Sequence, residues 1–197
     1  VGEGGVVTTN NTGLFEIISR LASRAAPFRT KQSPYWTKYF YDGEGYNYRL
    51  PHILGAIARA QIERFKDEIL PEKLRVGETF RKIFKENNYW SIQTIEQKTK
   101  PVFWLNSLKF KTLNREQVRS VGHFLENSGI ECRSGFWPLS DMASYDSISF
   151  GLQEVGYELF DKLLVLPSSW KLSEEDISFI FNETIKAVKK VLKEGNE

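Results

Sequence analysis

The chain has 197 residues, of which 41% are hydrophobic and 26% charged, and its formal net charge is +2. This composition excludes a disordered, collagen-like or coiled-coil chain, and the length suffices for a hydrophobic core without disulfides. No apolar run approaches the roughly 20 residues that a membrane-spanning helix needs. The near-balanced charge argues against a dedicated nucleic-acid-binding protein, which usually carries a concentrated basic surface. We therefore expect no membrane and no nucleic acid among the partners.

The cysteine content and the start of the chain are also informative. Cys132 is the only cysteine, so no disulfide can form within the chain, and the N-terminus carries no signal-peptide pattern. Both features favour a reducing, cytoplasmic setting. The two histidines, His52 and His123, show no metal-ligand spacing with Cys132, and we expect no metal site. The first residue is Val1 and the only methionine is Met142, which does not fit the start of a complete protein.

The first 50 residues follow no single pattern. A glycine-rich turn at residues 2–5 is predicted to lead into a short strand, and Asn10 or Asn11 is predicted to cap a helix. Residues 27–50 have no periodicity and form a long loop. This loop holds seven aromatic residues, Tyr35, Trp36, Tyr39, Phe40, Tyr41, Tyr46 and Tyr48. They could stack on sugars or bases, but we favour anchoring against another domain or subunit, because aromatic residues dominate interfaces.

From Pro51 onward the chain alternates between helical and extended patterns. The first predicted helix runs from Pro51 to about Ile69, and after an interruption at Pro71 a second helix runs to about Glu86. Two strands follow at residues 91–95 and 102–110, and then a helix from Asn114 to Gly129. The remaining predicted elements are a strand at 130–137, a helix at 152–160, a strand at 163–166 and a helix from Ser173 to about Leu192. Asn114 and Gln117 have the spacing of a capping box. We predict an α+β domain over residues 51–197, with a small, mostly antiparallel sheet and helices on one side. Residues 1–50 fall outside it.

The most informative string is Gly45-Tyr46-Asn47-Tyr48-Arg49-Leu50-Pro51. It places an amide and a guanidinium two residues apart, just before a helix N-terminus, where an anionic group would be attracted. A local turn at Asn47 with Arg49 in solvent is an equally weighted alternative. Arg133, which alternates with Cys132 on a predicted strand, is a second candidate anion contact, although a surface arginine is the default interpretation.

Four strings together resemble the DegT/DnrJ/EryC1/StrS family of pyridoxal-phosphate-dependent (PLP-dependent) sugar aminotransferases. They are Gly2-Glu3-Gly4-Gly5 through Asn10, Gly45 to Leu50 leading into residues 56–65, Gly129-Ile130-Glu131-Cys132-Arg133 with Phe136-Trp137-Pro138-Leu139, and Leu166-Pro167-Ser168-Ser169 before a Ser173-capped helix. The resemblance implies the C-terminal small α+β domain of a type I aminotransferase fold. Residues 1–50 would be the end of the large cofactor-binding domain with an interface loop, and the whole protein would be a homodimer.

The resemblance also implies roles for individual residues. Asn47 would reach the phosphate of PLP in the neighbouring subunit, and Arg49 is a second, weaker candidate for cofactor binding. We assign Tyr48, Arg133, Phe136 and Trp137 to the nucleotide-sugar side. The third string is similar to members that act on nucleotide-linked 4-keto sugars, but Ser140 stands where many members have histidine.

One departure concerns catalysis. The chemistry needs a lysine that forms a Schiff base with PLP, and in the family it lies a few residues before the glycine-rich turn, upstream of Val1. We therefore expect this chain to belong to an aminotransferase of amino-sugar and cell-surface polysaccharide biosynthesis that uses glutamate as the usual amino donor, and to be inactive alone. Two alternatives are a non-catalytic homologue that acts as a binding or dimerisation module, and a dehydratase of the same fold in which histidine replaces the lysine.

Overall fold

A computed structural model describes residues 2–25, 41, 43–145 and 154–194. Most of the predicted aromatic loop lies outside these residues, including Tyr35, Trp36, Tyr39 and Phe40. The chain divides into two units, Val1–Phe65 and Lys66–Glu197. The domain boundary that the sequence places after residue 50 stays a prediction.

Among its described residues, the first unit contains two helices, α1 (Thr12–Ala22) and α2 (His52–Arg64). As predicted, an asparagine caps α1, because the Asn11 side chain accepts a hydrogen bond from the backbone N–H of Leu14 at 3.0 Å. The strand predicted after the glycine-rich turn is wrong. A strand requires a hydrogen-bonded neighbour, and the described residues provide none for residues 6–9, which are exposed.

The helical segment around Pro71 differs from the predicted interruption. Residues Phe65–Ile69 form a single π-helical turn, and α3 (Leu70–Ile83) begins directly afterwards. Pro71 lies in the first turn of α3, directly after the π-helical turn, and the helical conformation continues through it. The proline therefore opens α3 instead of breaking the helical pattern.

The second unit is built on a four-stranded sheet with the order β1-β2-β4-β3. The strands are β1 (Trp90–Ile92), β2 (Asn106–Phe110), β3 (Arg133–Ser134) and β4 (Leu163–Leu166). All three pairings are antiparallel, as predicted. In the central pair Leu108 is opposite Leu164 and Asn106 is opposite Leu166, so the buried residues of β2 and β4 occupy the same face of the sheet.

Helices cover that face of the sheet. They are α3, α4 (Arg115–Asn127) and α6 (Glu174–Glu194), while α5 (Glu154–Lys162) precedes β4. The core consists of side chains from these elements, among them Val76, Phe80, Phe84, Trp90, Leu108, Phe110, Val121, Leu125, Leu164, Leu166, Ile177 and Val188. The predicted α+β architecture with helices over a small antiparallel sheet is confirmed.

The ends of α4 and α6 follow the sequence signals. Asn114 and Gln117 form the predicted capping box, with the Asn114 Oδ1 atom accepting from the Gln117 N–H at 2.9 Å and the Gln117 Oε1 atom accepting from the Asn114 N–H at 3.0 Å. Gly129 ends α4 with a φ of 79°. The Ser173 hydroxyl accepts from the Asp176 N–H at 3.0 Å at the start of α6.

Three predicted strands are shorter than expected, and the one predicted at residues 91–95 is only Trp90–Ile92. The strand predicted from residue 102 begins only at Asn106, because Phe103 has a φ of 49°, which no strand residue adopts. The ring of Phe103 occupies the position that a side chain at Gly77 of α3 would take. The strand predicted over residues 130–137 is reduced to Arg133–Ser134, since only these two residues pair with β4.

No helix among the described residues has the length and apolar character needed to cross a bilayer.

The contact between Phe103 and Gly77 gives a stability test. We expect Gly77→Ala to lower the free energy of unfolding by about 1–3 kcal/mol, because the new methyl group would overlap the inner carbons of the Phe103 side chain. Urea denaturation followed by circular dichroism measures it. The matched control is Gly156→Ala in α5, where a Cβ meets nothing within 4 Å, and it should be neutral or stabilising. Equal effects of the two substitutions would contradict the packing described here.

Candidate functional site

The segment around Asn47 is fixed against the end of α1. The N–H of Tyr46 donates to the carbonyl of Leu21 at 2.6 Å, and the N–H of Tyr48 donates to the carbonyl of Ala22 at 2.9 Å. Asn47 itself forms an antiparallel bridge with Ser23. The predicted extended conformation of this segment is therefore held by backbone hydrogen bonds in the first unit.

The close approach requires unusual backbone geometry on both sides. Arg24 and Ala25 have φ values of 65° and 54°, which turn the chain sharply after α1. Opposite them, a Cβ on Gly45 would collide with the backbone nitrogen of Ala25. Glycine at position 45 is thus needed for Asn47 to reach its bridge with Ser23.

Alternation along the extended segment separates its side chains. The Arg49 Nε atom donates to the Asn47 Oδ1 atom at 3.0 Å, so these two side chains lie on one side. The rings of Tyr46 and Tyr48 stack with centroids 5.0 Å apart and nearly parallel planes on the other. Both predicted cofactor residues are exposed, and an amide next to a guanidinium is a donor set that fits a phosphate group.

The second unit contains a cavity of about 370 Å³ beside α4. It is lined by residues of α4, α5 and β4 and of β3 with the chain on either side of it, among them Arg115, Arg119, Cys132, Arg133, Trp137 and Phe160. Two of the predicted substrate-binding residues, Arg133 and Trp137, therefore share one cavity. Arg133 is exposed and pairs with Glu131 at 3.0 Å.

Arg115, which was not predicted from the sequence to be a site residue, contacts two aromatic rings that line this cavity. The guanidinium carbon of Arg115 lies 4.6 Å from the ring centroid of Phe160 and 5.2 Å from that of Trp137. The two rings pack edge to face with centroids 4.4 Å apart. Cation–π contacts of this kind hold Arg115 in place, and Asp161 lies 3.8 Å from its Nε atom. Trp137 is thus part of a three-residue cluster at one end of the cavity.

Phe136, the remaining predicted substrate-binding residue of this unit, is not among the residues that line the cavity. Its ring packs against Trp104, with centroids 6.2 Å apart and planes inclined by 27°. The structure therefore separates Phe136 from its neighbour Trp137. No site role was predicted for Trp104 from the sequence. Trp104 interrupts the alternation of apolar residues in 102–110, and this irregularity is the sequence signal that could have identified it.

Cys132 faces α4 inside the cavity. Its thiol lies 3.4 Å from the carbonyl oxygen of Gly122. Burial, with smaller contributions from the negative charges of Glu126 and Glu131, raises the pKa of Cys132 to about 11. A thiol with such a pKa is protonated at neutral pH, so it is a packing residue and not a nucleophile. No group of three or more potential ligands within residues 2–25, 41, 43–145 and 154–194 could hold a metal ion.

Comparison with protein families gives a match over most of the chain. The model of the DegT/DnrJ/EryC1/StrS aminotransferase family matches residues 1–184. GDP-perosamine synthase of Escherichia coli O157:H7 is 30% identical over 183 residues, which are 91% of this chain and 46% of that protein. GDP-perosamine synthase of Caulobacter vibrioides is 27% identical over 179 residues, with 89% and 46% covered. The chain spans about half the length of the curated relatives it matches.

Solved structures show the fold. Spr1654 from Streptococcus pneumoniae in its PMP form superposes with a TM-score of 0.78 at 18% identity, covering 96% of this chain and 46% of that chain. Helicobacter pylori PseC, described as an aminotransferase involved in the biosynthesis of pseudoaminic acid, superposes with a TM-score of 0.77 at 18% identity, covering 92% and 48%. The predicted aminotransferase fold is confirmed by these superpositions.

The raised pKa of Cys132 gives a chemical prediction. In the folded chain, alkylation by iodoacetamide should be about 100-fold slower at pH 8 than in denaturant, and its rate should keep rising up to about pH 11. In denaturant the rate should level off near pH 9. Mass spectrometry of samples quenched over time measures both rates. A folded-state rate that levels off near pH 9 would indicate a shielded thiol of ordinary pKa and would contradict this description.

Proposed function

The chain belongs to the DegT/DnrJ/EryC1/StrS aminotransferase family, and on that premise we propose that it is the C-terminal part of a PLP-dependent sugar aminotransferase. The whole enzyme transfers an amino group, from glutamate, to a keto-sugar nucleotide in amino-sugar and cell-surface polysaccharide biosynthesis. The family match over residues 1–184 carries this proposal, and the names of the relatives, GDP-perosamine synthases, support a nucleotide-linked sugar as the substrate.

We propose that Asn47 and Arg49 bind the cofactor. When bound, PLP supplies the electron sink for amino-group transfer. The Asn47 amide and the Arg49 guanidinium together offer uncharged and charged N–H donors to a phosphate. The hydrogen bond between them fixes their relative orientation before any ligand binds, and the backbone bridge to Ser23 limits the movement of Asn47.

The nucleotide-sugar substrate is assigned to Tyr48, Arg133, Phe136 and Trp137. Tyr48 stacks on Tyr46 with most of its surface exposed, so its ring face and hydroxyl are available to a ligand. Arg133 supplies a positive charge at the cavity beside α4. Arg115 and Phe160 hold Trp137 in one orientation, so this ring is preorganised.

The proposal includes parts that this chain does not supply. A lysine upstream of Val1 would supply the acid–base group, and the active protein would be a cytoplasmic homodimer. Exposed apolar side chains in the first unit support burial against further protein, because such surface favours association. Examples are Val6, Leu14, Ile17, Ile53 and Ile62.

Activity provides the first test. We expect the protein that includes the sequence upstream of Val1 to aminate a GDP-linked 4-keto sugar with glutamate in the presence of PLP, and residues 1–197 alone to be inactive. Mass spectrometry of the sugar product measures the transfer. A histidine in place of the upstream lysine, with loss of water from the sugar, would instead identify the dehydratase alternative. Absence of any turnover and of PLP binding in the longer protein would favour a non-catalytic homologue.

Cofactor retention tests Asn47. In the longer protein, Asn47→Ala should weaken PLP binding about tenfold, because one phosphate donor is lost while Arg49 keeps its charge. Equilibrium dialysis against PLP measures the dissociation constant. The control is Asn182→Ala, which removes an exposed amide from α6 and should leave PLP binding unchanged. Equal PLP affinity of the Asn47 variant and the parent would contradict the assignment.

A further inference from the structure

Two large aromatic side chains form an exposed pair on the second unit. Trp104 is 70% exposed and Phe136 is 72% exposed, although their rings stack on each other. They come from segments 32 residues apart in the sequence, the chain before β2 and the chain after β3. An exposed pair of aromatic rings of this kind is a candidate binding surface for a ligand or another protein.

The backbone before β2 is arranged so that Trp104 points outward. Phe103 has a φ of 49°, and its ring packs at Gly77, where α3 has no side chain. This left-handed backbone conformation is energetically unfavourable for phenylalanine, so the contacts around Phe103 must stabilise it. The direct result is that consecutive rings point in different directions: Phe103 is partly buried against α3 and Trp104 is exposed.

Hydrogen bonds fix Trp104 on both sides. The Lys73 Nζ atom donates to the carbonyl oxygen of Trp104 at 3.1 Å and also donates to the carbonyl oxygen of Ser168. Two residues further on, the N–H of Asn106 donates to the Ser168 hydroxyl at 2.7 Å. Trp104 is therefore held on a braced backbone, and the Lys73 ammonium group places positive charge beside it.

Phe136 is oriented by its neighbours. Gly135 before it is buried and its N–H donates to the carbonyl of Leu163 at 3.1 Å, while Trp137 after it packs on Phe160. With both neighbours fixed, Phe136 is left on the opposite side of the chain, towards Trp104. A preorganised aromatic surface loses little conformational freedom when it binds a flat ligand.

We propose that Trp104 and Phe136 form the platform on which the nucleobase of the nucleotide-sugar substrate stacks. This inference rests on the proposed function, and it adds Trp104 as a substrate-binding residue. A planar base fits the platform because bases stack on exposed aromatic rings, largely independently of their hydrogen-bonding edges. The Lys73 ammonium group lies at the backbone carbonyl of Trp104, and its positive charge would favour a ligand that carries a diphosphate.

The test uses the longer protein that includes the sequence upstream of Val1. Trp104→Ala should raise the KM for the nucleotide sugar about tenfold, with little change in kcat and none in the KM for glutamate. The dissociation constants of GDP and UDP, measured by isothermal titration calorimetry, should rise by a similar factor. Trp104→Phe, which keeps an aromatic face, should restore most of the affinity. The control is Trp170→Ala, which removes a tryptophan that contacts Lys171 and should leave all these constants unchanged.

The possible outcomes are distinct. Unchanged affinity for GDP and UDP in Trp104→Ala would overturn the inference. If the melting temperature of that variant also fell, the pair would instead be covered by another part of the protein. If the parent protein binds neither GDP nor UDP, the inference is also wrong. If the parent lacks transaminase activity but binds GDP or UDP, the proposed function fails, and loss of that binding in Trp104→Ala would still support the platform.

Discussion

One-sided burial of the β2–β4 strand pair is the constraint on which the second unit depends. Because successive side chains of a strand point to opposite faces, burying Leu108, Phe110, Leu164 and Leu166 under α3, α4 and α6 fixes the register of the pair. A shift of one strand by one residue would turn the buried side chains of that strand to the opposite face of the sheet. The sheet also brings the chain before β2 close to the chain after β3, and the Trp104–Phe136 pair lies on these two segments.

The predictions from the sequence succeeded where the controlling interactions are local. Caps at Asn11 and Asn114 were predictable because each side chain bonds a backbone group three residues away. The strand at residues 163–166 was predictable from a short apolar run that ends at a proline. The late start of β2 was not predictable from the sequence. It results from the Phe103 ring, which fills the space at Gly77, and these two residues are distant in sequence.

The candidate site shows the same division. The order of polar residues made Asn47 and Arg49 predictable as a pair, and their shared side of the chain follows from simple alternation. The family resemblance grouped Phe136 with Trp137 on the nucleotide-sugar side. Adjacent residues in extended chain point in opposite directions, however, and the partners that separate them, Trp104 and Arg115, lie on segments whose proximity depends on the tertiary fold.

The buried apolar side chains are distributed unequally between the two units. Nearly all the buried hydrophobic residues belong to the second unit, and Ala25 is the one buried hydrophobic residue among the described part of the first. Helix α1 nevertheless has an apolar face on which Leu14, Ile17 and Leu21 are about half exposed. Helices that bury little of their apolar surface are marginal in water, because helical stability in proteins comes mostly from packing. The first unit thus carries an apolar surface that is suited to packing but is not buried by contacts within the unit itself. The proposed cofactor site at Asn47 is held by backbone bonds to the end of α1, so covering the apolar face of α1 would stabilise the helix that supports the site. Cofactor binding and assembly of the larger protein would then stabilise each other.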